Sequence, residues 1–168
     1  DPARTAFMEL RRGQGLAIRH EWVDYEHISP WLKRAVVAAE DARFVAHDGF
    51  DWSALRQALA ENIAAERIVR GGSTISQQLA KNLFLSPRQS LLRKAQEAVI
   101  TVMLEQAMTK RRILELYLNV IEWGEGVFGA EAAARHYHGR PAARIDHWRA
   151  AMLAARIPRP GYYDRRGT

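Results

Sequence analysis

Apolar positions recur at helical spacing along most of the chain. Leu32, Val36, Val37 and Phe44 share one stripe behind Ser29-Pro30, an N-cap followed by proline at the first helical position, and predict a strong helix over 31–44. A second amphipathic pattern starts at Asp51 and places Leu55, Leu59 and Ile63 on one face until Gly71-Gly72 stops it. Thr74 with Gln77 three residues later reads as a capping box that opens a third helix through Ile75, Leu79 and Leu83 to a break at Ser86-Pro87. A fourth helix is predicted over 91–108. Thr109 caps a fifth, whose apolar residues run from Ile113 to Ile121 and stop at Gly124. Two more are predicted over 130–137 and 148–157, the last opened by Asp146 and ended by Pro158. The stretch before Ser29 is irregular, and only 16–23 hints at period-two alternation, so the predicted class is all-α.

One position breaks the first stripe. Glu40 occupies a place where an apolar side chain would pack. Either the helix is rotated and the carboxylate reaches solvent, or it faces a cleft where desolvation raises its pKa and makes it a candidate general base.

With 168 residues, 48% of them hydrophobic, the chain fits a single domain over 1–168. Cysteine is absent, which removes disulfides, thiolate metal sites and cysteine nucleophiles. A net charge of +6 predicts attraction to an anion, whether nucleic acid, a phosphorylated substrate or an acidic lipid surface. No apolar run approaches the roughly 20 residues that cross a bilayer. The chain begins at Asp1, so the expectation is that an upstream anchor or signal has been removed.

Further candidate chemistry is clustered. Gly71-Gly72-Ser73-Thr74 leads into a helix whose free amides favour anions, with Gln77, Gln78 and Lys81 following within two turns. A Walker loop is ruled out because Gly-Lys-Ser/Thr is missing. Glu97 follows Arg93 and Lys94 by one turn, base before acid, the poorer order for helix stability. Residues 84–94 interleave apolar pairs with cations, suiting either a membrane headgroup boundary or ordinary helix packing. Lys110-Arg111-Arg112 is either a further phosphate contact or a solvated cluster. His136 and His138 lack zinc-site spacing, and His47 is expected to make a structural hydrogen bond.

Taken in order, these segments resemble the peptidoglycan glycosyltransferase domain, glycosyltransferase family 51, as found in monofunctional biosynthetic transglycosylases and class A penicillin-binding proteins. Glu40-Asp41-Ala42-Arg43-Phe44 through His47-Asp48-Gly49 is similar to the family's first motif, and Gly71 to Gln78 with Lys81-Asn82 to its second. Arg93-Lys94-x-x-Glu97 resembles the third, Lys110 to Asn119 the fourth, and Gly126 to Gly129 with Glu131-Ala132-Ala133 the segment after it.

The resemblance implies a lysozyme-like bilobal helical domain with a small membrane-associated jaw. It implies lipid II and the growing glycan strand as substrates, joined with inversion while undecaprenyl pyrophosphate departs. Glu40 would be the catalytic base. Lys81, Arg93, Lys94 and Arg88 would hold phosphate, Ser73, Thr74, Gln77, Gln78 and Asn82 would line the substrate site, and Glu97 would orient the cations or bind a divalent ion. No cofactor is required by the resemblance, which leaves Mg or Mn open at the pyrophosphate. Many members carry arginine where this chain has Gln89, with Arg88 one residue earlier. The implied location is the periplasmic face of the inner membrane, anchored by an N-terminal transmembrane helix absent from this chain, with other cell-wall synthesis or division proteins as partners and no nucleic acid. The chain ends just after the glycosyltransferase region, as expected of the monofunctional type or of a segment of a bifunctional enzyme.

Two rivals share some of these features. A glycan-cleaving hydrolase or lytic transglycosylase would use a helical domain and a glutamate but has no use for a pyrophosphate site. A basic membrane-surface or nucleic-acid binding module would bind in a salt-sensitive way and survive loss of Glu40.

Overall fold

The computed structural model describes residues 1–67, 71–85 and 90–166. Among these the helices are α1 (Ala6–Gly13), α2 (Pro30–Glu40), α3 (Trp52–Ala64), α4 (Ile75–Phe84), α5 (Leu91–Ala107), α6 (Lys110–Val120), α7 (Ala130–His138), α8 (His147–Ala154) and α9 (Pro160–Arg166). Three short strands, β1 (Arg19–His20), β2 (Glu122–Gly124) and β3 (Val127–Phe128), make a small sheet of order β1-β3-β2, with β1 parallel and β2 antiparallel to β3. The all-α class holds.

The core forms around α6, which is buried from Ile113 to Val120 except at Glu115, the pattern of a helix enclosed on all sides. Against it pack α4, through Ile75, Leu79 and Ala80, and the N-terminal end of α7. Asn119 ties the N-terminal segment to this helix: its Oδ1 accepts from Val23 N at 2.9 Å and its Nδ2 donates to Val23 O at 2.8 Å. Gly129 enters α7 at φ 86, where an added Cβ would stand 2.8 Å from Asn119 O.

Helix α2 starts as its sequence predicts, with Ser29 Oγ accepting from Trp31 N and Pro30 in the first turn. Ser29 also reaches the far end of the chain, donating through Oγ to Ile145 O at 2.5 Å and through its backbone N–H to Ala142 O at 3.1 Å. Leu32 and Val36 are buried, and α2 packs closely on α8.

Several boundaries differ from expectation for local reasons. Helix α2 stops at Glu40, because the carboxylate of Asp41 is held by groups outside the helix, and Phe44 belongs to a separate 3-10 turn. Helix α1 arises in the stretch read as irregular, capped by Thr5 and anchored by buried Met8. Within 16–23 only β1 forms, and the β2–β3 hairpin turns at Glu125-Gly126 just past the predicted stop of the fifth helix. Helix α8 ends at Ala154, short of the predicted 157.

Helices α3 and α5 leave apolar side chains at the surface. Ala58 is the one buried residue of α3, while Trp52, Leu55, Leu59 and Ile63 stay exposed along a single stripe. Leu91, Leu92, Val99 and Met103 of α5 are exposed as well. Leu91 and Leu92 fall within the 84–94 stretch read as suiting either a membrane headgroup boundary or ordinary helix packing.

Candidate active site

Glu40 ends α2 half-buried, at the wall of a cleft of about 560 Å³ that Ser73, Thr74 and Gln78 also line. The first turn of α4 is brought to it by hydrogen bonds already legible as a capping box. Thr74 Oγ1 accepts from Gln77 N at 3.2 Å, and Gln77 Oε1 accepts from Thr74 N at 3.0 Å. Thr74 Oγ1 also donates to Gly49 O at 2.6 Å. The next free amide of the helix, Ile75 N, donates to Asp41 Oδ2 at 3.0 Å. Asp41 meanwhile holds His47 Nε2 at 2.9 Å. The residue after Glu40 is therefore bonded to the start of α4, which fixes the separation between Glu40 and Gln78. His47 makes the structural contact expected of it.

Gln78 bridges two partners of opposite need. Its Nε2 donates to Glu40 Oε2 at 2.8 Å, and its Oε1 accepts from the hydroxyl of Tyr117 at 2.9 Å. The ionised carboxylate requires a donor, so the phenol at the other end must donate too. Burial pushes the Glu40 carboxyl above its ordinary value, and the Gln78 hydrogen bond and the Lys81 charge only partly offset this. A carboxylate held that way favours taking up a proton.

Ser73 and Gln78 also line a second, smaller cavity of about 110 Å³, so the two spaces adjoin. Its other walls are Gln77, Lys81, Arg93, Lys94 and Glu97. Glu97 is buried; its Oε2 accepts from Arg93 Nη1 at 2.7 Å and its Oε1 from Lys94 Nζ. Two cations thus share one carboxylate, and Lys81 lines the same cavity. Burial pushes the Lys81 ammonium below its ordinary value, the Glu97 charge opposes this, and Arg93 and Lys94 add to it. Arg93 Nε is buried and lacks an acceptor among the described residues. Excess positive charge and a spare donor in a small cavity suit an anion with several oxygens.

Of the predicted site residues, Glu40, Ser73, Gln78, Lys81, Arg93, Lys94 and Glu97 come together around these adjoining cavities, and Gln77 lines the smaller one. Thr74, which lines the cleft, and Asn82 are both buried in the protein's own hydrogen bonds, Asn82 Nδ2 donating to Gln78 O at 2.8 Å. Arg88 and Gln89 lie outside the described residues. Tyr117 was legible only as a core position; the available signal was that a buried tyrosine needs a partner for its hydroxyl.

Among the described residues, protein donors for Mg or Mn are not assembled at the smaller cavity. Both Glu97 oxygens are engaged by cations, and the remaining walls are amides, a hydroxyl and more cations, whereas such ions need several carboxylate or carbonyl oxygens. Asp41, His47 and Asp51 do lie within 4.8 Å of one another, but Asp51 caps α3 and Asp41 holds Ile75 N and His47.

The helical domain places a desolvated carboxylate beside a cation-lined cavity, and comparison with known proteins gives the family. Residues 9–168 match the transglycosylase family, to which this chain belongs. It is similar to the biosynthetic peptidoglycan transglycosylase of Laribacter hongkongensis, 59% identical over 170 residues that span 98% of this chain and 75% of that protein. The proteins of the same name from Azoarcus sp. and Chromobacterium violaceum are each 60% identical, over 98% of this chain and 74% and 75% of theirs.

Proposed function

We propose that this chain polymerises lipid II into β-1,4-linked glycan strands, releasing undecaprenyl pyrophosphate. Membership of the family makes it a peptidoglycan glycosyltransferase; the lipid-linked substrate and the roles of individual residues are our reading. The observation that carries it is the juxtaposition of Glu40, desolvated, with the cavity of Lys81, Arg93 and Lys94 across the shared wall of Ser73 and Gln78.

In this reading Glu40 accepts the proton of the acceptor's N-acetylglucosamine 4-hydroxyl as that oxygen attacks the anomeric carbon of the donor's N-acetylmuramic acid. The new C–O bond forms while the bond from that carbon to the diphosphate oxygen breaks, and the electron pair leaves with the diphosphate. Attack from the face opposite the leaving group inverts the α-linked donor to a β product, as in inverting glycosidases. Negative charge grows on the departing oxygens and meets Lys81, Arg93 and Lys94, with no strong acid needed. Glu97 holds two of those cations in place, and Thr74, Gln77 and Asn82 hold the start of α4. Ser73 and Gln78 contact the sugars.

The exposed apolar stripe of α3 and the apolar start of α5 support attachment to the periplasmic face of the inner membrane, where a lipid-linked substrate would be met. Among the described residues no helix is long and apolar enough to cross a membrane, so a spanning anchor would lie outside them.

The test is polymerisation of fluorescent lipid II in detergent by this chain and by Glu40→Gln, with products resolved by length and digested with muramidase. Muramidase-sensitive polymer from the parent and none from the variant supports the reading. Cleavage of preformed glycan without polymer formation would sink it.

A further inference from the structure

Another cavity, of about 480 Å³, adjoins the catalytic cleft along α2, and Ala38 and Ala42 belong to the walls of both. Its floor is apolar, made by Val37, Phe44 and Leu114 among others, and four cations stand around it: Lys33, Arg34, Lys110 and Arg111. Aromatic rings stand against all four, Arg34 lying 5.7 Å from the ring of Trp31. Lys33 Nζ lies 4.1 Å from the centroid of Tyr25 and donates to Tyr25 O at 2.9 Å, Arg111 stands 5.0 Å from the same ring, and Lys110 lies 4.7 Å from Phe44.

The four differ in how their charge is met. Lys110 pairs with Glu105 at 2.7 Å and Arg111 with Glu26, whereas neither Lys33 nor Arg34 has a carboxylate partner among the described residues. Partial burial pushes the Lys33 ammonium below its ordinary value, and no acid offsets that. An apolar floor beside two uncompensated cations suits an amphiphilic anion.

The reaction proposed above gives this anion a source, and the inference rests on that reading. Two substrates meet in the cleft, each with a diphosphate. The donor's leaves toward Lys81, but the acceptor's stays attached and must lie one disaccharide away from the hydroxyl that Glu40 deprotonates. Lys33 stands one cavity away from Glu40 on the same helix, seven residues earlier, a rise of about 10 Å. That separation is comparable with the length of one disaccharide.

We propose that the cavity beside α2 binds the diphosphate of the acceptor substrate, with Lys33 and Arg34 as its phosphate ligands. The molecule then holds two diphosphates on opposite sides of the reacting carbon. The leaving-group cavity is polar and small, whereas the acceptor cavity has an apolar floor.

The probe is a lipid-free GlcNAc-MurNAc diphosphate, titrated calorimetrically onto Glu40→Gln, which binds without turning over. Two equivalents are expected, falling to one when Lys33→Met and Arg34→Gln are added; Arg34→Lys alone should retain both. In the catalytically competent chain, Lys33→Met and Arg34→Gln should each raise KM for lipid II about tenfold, as for loss of one charged hydrogen bond, with kcat little changed. Circular dichroism and thermal unfolding confirm that the variants fold. Two equivalents persisting in the double substitution overturn the proposal. So does loss of affinity for phosphatidylglycerol vesicles with both diphosphate equivalents intact, since the cavity would then serve the bilayer. Polymer formation is scored separately: a parent that polymerises while the titration is unmoved by the substitutions leaves the functional reading standing and removes only this inference.

Discussion

The hydroxyl of Tyr117 sets the orientation of the Gln78 amide, donating to its Oε1 at 2.9 Å while the amide nitrogen faces Glu40. Tyr117 is fully enclosed, and burial with the nearby Glu40 and Asp41 charges pushes its phenol far above the ordinary range, so it remains a donor. Tyr117→Phe is expected to lower kcat about tenfold with KM little changed, since it frees the amide to rotate, and to cost about 1–3 kcal/mol in urea unfolding for the acceptor left unpaired. Steady-state kinetics on lipid II separates the two effects; an unchanged kcat in a destabilised variant would show that the hydroxyl only serves the fold.

Glu40 makes the pH dependence specific. As a base it must be ionised, so activity should fall as pH drops through its raised pKa, and the acid limb of kcat/KM should lie above the 4.5 of an ordinary glutamate. Stability runs the other way. The native state holds this proton more tightly than the unfolded chain, so the contribution is present below the unfolded-state pKa and is lost as pH rises through the folded one. Glu40→Gln should therefore be inactive yet more stable than the parent at neutral pH, with the difference shrinking in acid. Urea unfolding of both proteins at two pH values reads this directly.

Asp41 is expected to matter through the fold. Asp41→Ala leaves Ile75 N and His47 Nε2 unpartnered in a buried place and should cost about 3 kcal/mol, seen as a lower denaturant midpoint with an unchanged slope. Asp41→Asn keeps one carbonyl acceptor and should cost less. Equal stability of the parent and Asp41→Ala would show that these bonds do not hold α4.

The apolar stripe on α3 can be tested without touching the site. Leu59→Gln with Ile63→Gln alters side chains that are 59% and 68% exposed, so folding should be unaffected. Co-sedimentation with lipid vesicles should weaken about tenfold. Undiminished vesicle binding would move the membrane contact elsewhere.

Much of this architecture was legible from local patterns. The capping box at Thr74, the proline after Ser29 and the cap at Thr109 are signals written within four residues, and each opens a helix where it predicts one. Glu40 and the cluster of Lys81, Arg93, Lys94 and Glu97 were visible because charge sits at odds with helical periodicity or favoured order. What escaped depends on distant partners. Asp41 ends α2 by bonding to a residue 34 positions away, and Tyr117 meets Gln78 across 39. Helix α1 is only eight residues long, and each strand pairs over only two or three residues, too little for a period to register.

The bond from Ser29 to Ile145 bears on the order of events during synthesis. The helix bearing Glu40 is moored at its start by residues 142–145 and packed along its length by α8, so these contacts await the last part of the chain to emerge. A ribosome delivers the N-terminal portion first. Until the C-terminal quarter follows, α2 lacks its mooring and the Glu40 carboxylate is not yet fixed in the cleft. Chemical competence is thus acquired late, only when the whole domain has closed.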